Sequence, residues 1–329
     1  MLSLTFTAWV YNEPIVWGIA LALVFQSCLI RQLEEPTRLR WWLMGMLAGA
    51  TFSVRPTAAV AMTLGLLASL AMPNSERASH SGNQRATFLI SMVRRGLWVG
   101  FGFLPLFCIA ISVNWLRWGD PWTFVPPAAH IQVMEDARRL DIALTQGTFS
   151  LVRLPLGIGY YLFGLLTDSW TSKMAERFSD GLGWPRSALL LTSTTQIVMA
   201  GMACIGIGSR AWATVPKAKL GWSILVAPVA LGGMMLTFIY MNYRYRFEFL
   251  PLLVLCCIMG AATISTMKQW HARLCIAGLA VMLFGNIVIS HLDLLQAKLA
   301  SFAQPEAARE RIIRLTPPIS GLFVRESPQ

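Results

Sequence analysis

The sequence predicts an all-α polytopic membrane protein with about eight transmembrane helices, an interfacial helix and a re-entrant or short segment. Hydrophobic residues make up 55% of the 329 residues, and 13% are charged, about half the charged fraction of typical globular domains. The apolar runs are long and unbroken, whereas an outer-membrane barrel needs strands of about ten residues with alternating polarity. This pattern therefore favours membrane-spanning helices over a barrel or a soluble fold.

Eight apolar runs are the predicted spans, and the second and third of them are separated only by Arg55 and Pro56. The run 41–54 would form a helix of about 21 Å, shorter than a hydrocarbon core of about 30 Å. Because Pro56 disfavours helix in the residue before it, Arg55 marks a break. We expect two short tilted helices in a hairpin with Arg55 at its tip, or alternatively one long kinked helix. The eight runs are 14–30, 41–54, 57–73, 96–115, 187–208, 222–241, 247–266 and 272–290.

Two stretches between these runs have a different character. In 117–150, Val133, Ala137, Leu140 and Leu144 form one apolar helical stripe, which predicts an interfacial helix near 128–144. The run 151–167 carries Arg153, proline and glycine, so we expect a re-entrant or interfacial segment, with a full span as the alternative.

The domain organisation follows from these runs. We predict one transmembrane helical domain over 1–290, with outer loops at 116–152 and 168–186. A polar tail, beginning as a short amphipathic helix, occupies 291–329. The loop 74–95 is polar and ends in a basic pair, as cytoplasmic loops often do.

The basic residues predict the orientation and the partners. The formal net charge is +11, but Lys and Arg lie in short loops between apolar runs and not on a basic helix, so anionic headgroups or phosphates are favoured over nucleic acid. Short basic loops favour a cytoplasmic location for 31–40, 74–95, 209–221 and 267–273. Arg55, 117–150, 168–186, Arg244 and Arg246 then share the outer face. The six cysteines show no ligand spacing, so we predict no metal site.

The stretch NYRYRFEFLPLL, at 242–253, combines arginines and aromatic rings at the start of a membrane helix. Such a pattern is typical of an anchor at the headgroup level, and it also suits binding of a lipid-linked phosphate. Arg244 and Glu248 are four residues apart and could pair along the helix. The sequence offers Arg246 no such acidic residue in its own helical turn, so it is the stronger phosphate-binding candidate.

Several motifs together resemble GT-C type membrane glycosyltransferases that use polyprenyl-phosphate sugars, such as protein mannosyltransferases and aminoarabinose transferases. The motifs are VYNEPIVWG at 10–18, GMLAGATFSVRPT at 45–57, NWLRWGDPWTF at 114–124, GTFSLVRLPLGIGYYL at 147–162 and NYRYRFEFLPLLVL at 242–255. Each motif is loose, and their order over 10–290 carries the resemblance. It implies an extracytoplasmic site in the cytoplasmic membrane, a polyprenyl-phosphate sugar donor and inverting transfer to an unknown acceptor.

The resemblance implies donor binding by Tyr11, Arg55, Tyr243, Arg244, Tyr245 and Arg246. Members of this group carry a catalytic carboxylate on the first outer loop, and no paired acid precedes Tyr11. We therefore expect either an N-terminally truncated enzyme or a degenerate relative. A non-catalytic membrane protein, such as a lipid or glycolipid transporter or an assembly subunit, is the alternative.

Two candidates have competing interpretations. Glu13 is the weak candidate for a catalytic base, but an acid in the first turn of a helix also interacts favourably with backbone amides. Arg55 is a candidate phosphate ligand because intramembrane charges are often functional. It could equally be an arginine that extends to the membrane surface from a hairpin tip. No cofactor is implied.

Overall fold

The computed structural model describes residues 13–72, 84–122, 141, 144–163, 181–182, 189–208, 218–238, 240–241 and 243–302. Helices dominate these residues. They are α1 (Glu13–Glu34), α2 (Arg38–Val54), α3 (Pro56–Leu70), α4 (Gln84–Trp118), α5 (Leu154–Ile158), α6 (Leu189–Thr192), α7 (Thr194–Gly208), α8 (Ala218–Thr237), α9 (Leu250–Ser265) and α10 (Gln269–Phe302). Two strands of two residues, β1 (Gly181–Leu182) and β2 (Tyr240–Met241), pair in parallel.

Four segments within these helices are long and apolar enough to cross a membrane. They are Pro14–Gln32, Ala86–Trp118, Tyr245–Ser265 and Gln269–Ser290. Four further apolar helical segments are shorter, namely Pro56–Leu70, Leu151–Leu162, Thr194–Gly206 and Ser223–Thr237. The prediction of a helical membrane protein is therefore supported, and the described residues contain four full-length spans where eight were predicted.

Helices α2 and α3 form an antiparallel hairpin with Arg55 at its tip. Arg55 adopts an extended conformation (φ −150°, ψ 92°) and Pro56 begins α3. At the open end, the Arg95 guanidinium lies 5.9 Å from the centroid of Trp41, near the start of α2. Arg95 Nη1 also donates to the carbonyl oxygen of Met72, just after α3, at 3.3 Å. Both ends of the hairpin therefore meet at Arg95, which confirms the hairpin and rules out one long kinked helix.

Helix α4 runs parallel to α2 and packs against it through glycines. A Cβ on Gly49 would lie 2.6 Å from the carbonyl oxygen of Phe103, and Cβ atoms on Gly45 and Gly102 would clash with backbone oxygens of Val99 and Trp42. Small residues let helix backbones approach closely, which supports helix association in membranes. The GMLAG sequence of α2 thus fits the face of α4.

Helix α8 packs antiparallel to α3. Gly65 faces Ala227, and Leu231 is buried with Ala58 and Ala61 nearer the Arg55 end. The main core joins α1 to this pair through Phe25, Leu29, Met62 and Leu66, so α1, α2, α3, α4 and α8 form the central bundle. By contrast, the spanning part of α10 is almost entirely exposed, as expected for a helix that faces lipid.

Several predicted boundaries were wrong. The predicted loop 74–95 is helical from Gln84 onward, as part of the 35-residue α4. The run 222–241 ends as a helix at Thr237, and Tyr240–Met241 is extended. Helix α10 continues without a break to Phe302, so the start of the predicted tail is helical, as expected, and is continuous with the preceding run. The extensions at Gln84 and Phe302 arise because polar residues at the end of a hydrophobic run continue the helix when no proline or cap ends it, whereas Tyr240–Met241 is extended because it pairs with Gly181–Leu182.

The other predicted segments are only partly described. In 151–167, a 3-10 turn (Leu151–Arg153), α5 and a π-helical turn (Gly159–Phe163) form a short helical piece. At about 1.5 Å per residue it covers under 20 Å, too little to cross a core of about 30 Å. Most of the predicted interfacial helix near 128–144, the loop 168–186 except Gly181–Leu182, and 303–329 lie outside the described residues.

Candidate functional site

Charged and aromatic side chains from distant parts of the sequence meet at the Arg55 end of the bundle. Gly18 of α1 makes room for the stem of Arg55, because a Cβ on Gly18 would lie 2.9 Å from the Arg55 Cβ. The segment that contributes most is the 3-10 helix Tyr243–Phe249, which leads directly into α9. This end of the bundle therefore brings the hairpin tip, α1 and the NYRYRFEF stretch together.

A buried ion pair joins Arg55 to Glu248. Arg55 Nε donates to Glu248 Oε1 at 2.8 Å, and Arg55 Nη2 donates to the same oxygen. Glu248 Oε2 accepts from the hydroxyl of Thr57 at 3.5 Å. The Glu248 side chain is 2% exposed and that of Arg55 is 22% exposed. Glu248 is thus enclosed, while part of the Arg55 side chain remains accessible.

The ring of Tyr245 forms the floor beneath Arg55. The guanidinium carbon of Arg55 lies 5.2 Å from the ring centroid, a cation–π distance. A 3-10 helix has three residues per turn, so Tyr245 and Glu248 share one face, and both are buried. Phe238 packs edge-on against Tyr245 at 5.5 Å and stiffens this arrangement. Carboxylate and ring together hold the Arg55 guanidinium in one orientation.

A second arginine, Arg153, lies fully buried at the same end. Its Nη1 donates to the carbonyl oxygens of Thr148 (3.2 Å) and Thr237 (3.4 Å), and its Nη2 donates to the carbonyl oxygen of Gly147 (3.0 Å) and to Gln146 Oε1 (3.5 Å). The backbone amide of Ser150 donates to the same Thr237 carbonyl at 3.0 Å. Arg153 therefore ties the loop before α5 to the end of α8.

Arg153→Met is expected to release this loop, because a thioether side chain cannot replace four donated hydrogen bonds. The backbone amide of Ser150 should then exchange its hydrogen at least tenfold faster, which corresponds to about 1.4 kcal/mol of local stability. Hydrogen–deuterium exchange with mass spectrometry measures this on the peptide that contains Ser150. The amides of α3 serve as the internal control, and equal acceleration there would instead indicate global loosening.

The structure brings some of the predicted site residues together. Arg55 and Tyr245 are in direct contact, and Arg246 follows Tyr245 in the same 3-10 helix with its side chain half-buried. The backbones of Tyr243 and Arg244 belong to that helix, and their side chains lie outside the described part of the chain, as does Tyr11. Glu13 is the first residue of α1, and its side chain is likewise not described. Of the predicted donor ligands, Arg55, Tyr245 and Arg246 are thus located at one place.

Sequence reasoning missed the partner of Glu248 and the role of Arg153. The sequence suggested Arg244 as a partner four residues away, but Glu248 bonds with Arg55, which is 193 residues away. The sequence did contain a signal for this ion pair. Arg55 and Glu248 are isolated charges at the edges of apolar runs, and an intramembrane charge usually has a partner. For Arg153, the signal was an arginine inside a run too short to span.

Other chemistry is limited among the described residues. No group of three or more His, Cys, Asp or Glu is arranged to hold a metal ion there. All six cysteines are free thiols, with Cys108 and Cys204 exposed. Arginine, tyrosine and threonine therefore dominate this end, and they suit hydrogen bonding to an anion.

Comparison with protein-family models, with curated proteins and with solved structures found no match. The functional interpretation consequently rests on the residues of this chain and on the resemblance of its motifs.

Proposed function

We propose that the Arg55 end binds the phosphate of a polyprenyl-phosphate-linked sugar, and that the chain acts as a GT-C-like membrane glycosyltransferase. The observation that carries this proposal is the fixed guanidinium of Arg55, held between Glu248 and Tyr245 of the 3-10 helix that also contains Arg246. In this proposal, the chain crosses the cytoplasmic membrane eight times, and the Arg55 end lies on the extracytoplasmic side.

The electrostatics support an anion at this end. Glu248 offsets the charge of Arg55, and Arg246 adds a further positive charge to the 3-10 helix that carries Glu248. Arg55 nevertheless keeps Nη1, which donates to no acceptor among the described residues. A guanidinium that is already oriented loses little further side-chain entropy when it binds phosphate. Arg55 would therefore orient the phosphate by donating a hydrogen bond to it, and Arg246 would add positive charge that attracts it.

The apolar surroundings suit an isoprenoid tail. Ile15, Tyr160, Tyr161 and Phe249 pack into one cluster with Tyr245. This cluster includes the ring beneath Arg55, so apolar surroundings border the proposed phosphate site, as the hydrocarbon part of a lipid-linked phosphate requires. Because its residues are buried, the polyprenyl part would lie on the lipid-facing surface outside the cluster.

Transfer of the sugar also requires a base for the acceptor hydroxyl. Glu248 is unsuited because both of its oxygens already accept hydrogen bonds. Glu13 remains the candidate, since it begins α1 at this same end. Because Glu248 is bonded to Arg55 and is not available as a base, this ion pair favours the second candidate function. That function is a non-catalytic lipid or glycolipid transporter or assembly subunit that binds the same donor.

Arg246→Ala is expected to weaken donor binding by about 10- to 100-fold, because a charge-assisted hydrogen bond contributes about 1.5–3 kcal/mol. The measurement is binding of a labelled polyprenyl-phosphate mannose to the protein in nanodiscs. Arg94→Ala is the matched control, since Arg94 is an exposed arginine beside Arg95 at the opposite end of the hairpin. Unchanged affinity in Arg246→Ala would overturn the donor-site proposal.

A single assay separates the two candidate functions. If the labelled sugar moves from the lipid to an acceptor and Glu13→Gln abolishes the transfer, the glycosyltransferase proposal stands. Donor binding without transfer by the intact chain would favour the non-catalytic alternative.

A further inference from the structure

The loop before α5 places one exposed aromatic side chain, that of Phe149, at the Arg55 end of the bundle. Phe149 is 42% exposed, and its ring centroid lies 5.3 Å from that of Phe238, with the ring planes tilted by 44°. The backbones of the two residues also form an antiparallel β-bridge. Phe238 directly follows the last residue of α8. Phe149 therefore packs on the stretch that leads from α8 into the 3-10 helix Tyr243–Phe249.

The backbone on both sides of Phe149 holds it in this place. Gly147 has a φ of +73°, a left-handed conformation that glycine adopts readily, and it turns the chain before Phe149. The carbonyl oxygens of Gly147 and Thr148 both accept hydrogen bonds from the buried Arg153 guanidinium, at 3.0 and 3.2 Å. On the other side, the backbone amide of Ser150 donates to the carbonyl oxygen of the last residue of α8 at 3.0 Å. These bonds fix the position of Phe149 against the end of α8.

Aromatic contacts connect Phe149 to the Arg55 guanidinium. Phe238, on which Phe149 packs, lies edge-on to Tyr245, with centroids 5.5 Å apart and ring planes at 85°. Aromatic pairs favour such edge-to-face arrangements, which restrain the orientation of each ring. Tyr245 in turn lies beneath Arg55, with the guanidinium carbon 5.2 Å from its ring centroid. Because a cation is attracted to the face of a ring, the orientation of Tyr245 influences where the guanidinium lies.

We infer that Phe149 is a positioning residue for the Arg55 site, acting on the guanidinium through Phe238 and Tyr245. Arg153 acts one step earlier, because it holds the loop that carries Phe149. The Phe149 side chain has no charge and no hydrogen-bond donor, so its contribution is the orientation of the 3-10 helix and not a bond to a phosphate. The effect on the structure does not depend on a ligand, whereas the effect on donor binding rests on the proposed function.

Phe149→Ala should accelerate amide exchange in Tyr243–Phe249 by about two- to tenfold in the ligand-free protein, because an aromatic contact that restrains this helix is lost. The measurement is hydrogen–deuterium exchange with mass spectrometry on the protein in nanodiscs. The amide of Ser150 should keep its wild-type rate, since Arg153 still holds the loop. Arg153→Met should accelerate both Ser150 and Tyr243–Phe249, because it releases the loop together with Phe149.

Two variants serve as matched controls for this exchange measurement. Leu151→Ala removes an apolar side chain that is 80% exposed in the same segment, and it should leave Tyr243–Phe249 unchanged. Phe149→Tyr keeps the ring and should retain the wild-type rates. Unchanged exchange in Phe149→Ala, or the same acceleration in Leu151→Ala, would overturn the inference. Equal acceleration throughout α3 would also overturn it, since a general loss of stability would then explain the result.

Donor binding separates positioning from direct contact with the donor. Phe149→Ala should weaken binding of labelled polyprenyl-phosphate mannose by about threefold, and Phe149→Tyr should restore it. In a Phe238→Ala background, Phe149→Ala should have no further effect, because the aromatic connection to Tyr245 is already interrupted. An undiminished effect in that background would show that Phe149 contacts the donor itself, and it would overturn the positioning role. If wild type binds no donor, the proposed function fails, while the exchange rates still test the inference.

Discussion

Arg55→Leu is expected to destabilise the protein by about 3–5 kcal/mol, since it leaves the carboxylate of Glu248 buried without its ion-pair partner. Glu248 is 2% exposed, so water cannot replace the two hydrogen bonds that Arg55 donates to it. The measurement is unfolding of the purified protein in mixed micelles with increasing sodium dodecyl sulfate, followed by the helical signal in circular dichroism.

The double variant Arg55→Leu/Glu248→Leu separates the cost of an unpaired charge from lost packing. Replacing both partners of a buried ion pair with apolar residues is often neutral or stabilising. We therefore expect the double variant to recover most of the stability that Arg55→Leu loses. Equal losses in the single and double variants would contradict this account of the pair.

The exposed pair Arg40–Glu35 provides the matched control. Its carboxylate is 81% exposed, and surface ion pairs contribute about 1 kcal/mol or less. Arg40→Leu should therefore change the unfolding midpoint much less than Arg55→Leu.

The donor-binding assay adds a second readout for the double variant. Arg55→Leu/Glu248→Leu should fold and yet bind polyprenyl-phosphate mannose weakly.

Gly45→Ala combined with Gly102→Ala is expected to have a comparably large effect, about 2–6 kcal/mol, because overpacking costs about 1–3 kcal/mol at each site. Added methyl groups would meet the carbonyl oxygens of Val99 and Trp42. Since those atoms are backbone, α2 and α4 must separate along their contact. The same unfolding measurement in mixed micelles checks the result.

Gly100→Ala is the control for this prediction. It lies in α4 two residues before Gly102, and a Cβ there meets nothing within 4 Å. Alanine has a higher helix propensity than glycine by up to about 1 kcal/mol, so Gly100→Ala should leave stability unchanged or slightly raised. A loss in Gly100→Ala as large as that at Gly102 would show that the packing argument is wrong.

The helix break at Arg55 was predictable because its cause is local. Pro56 restricts the backbone of the residue before it, and this effect depends only on adjacent residues. The hairpin interpretation was also within reach, since each flanking run is too short to span a membrane. The observed helices Arg38–Val54 and Pro56–Leu70 confirm both inferences.

The boundaries of α4 and α10 were harder to predict from the sequence. Polar residues near Gln84 and after Ser290 look like loop or tail when hydropathy is the guide. A helix needs only that its backbone hydrogen bonds continue, and no proline or glycine interrupts either extension. Hydropathy therefore located the apolar centre of each helix and missed its polar ends.

The partner of Glu248 could not be predicted, because it depends on how helices pack. Along one helix, a carboxylate has only the neighbours three or four residues away, and Arg244 was the natural choice. The 3-10 form of Tyr243–Phe249 instead turns Glu248 and Tyr245 to the same side, toward the hairpin tip. Gly18 of α1 then leaves room for the arginine.

By itself, the sequence determined that the chain is helical with apolar runs long enough to cross a membrane, where those runs lie and that Arg55 interrupts them. These features follow from composition, from the length of each apolar run and from the effect of proline on the residue before it, and none of these depends on tertiary contacts. Only the tertiary structure decided that Arg55 bonds with Glu248 and packs on Tyr245, and that Arg153 holds a loop. Those relations join residues up to 193 positions apart, and they exist only once the helices are packed together.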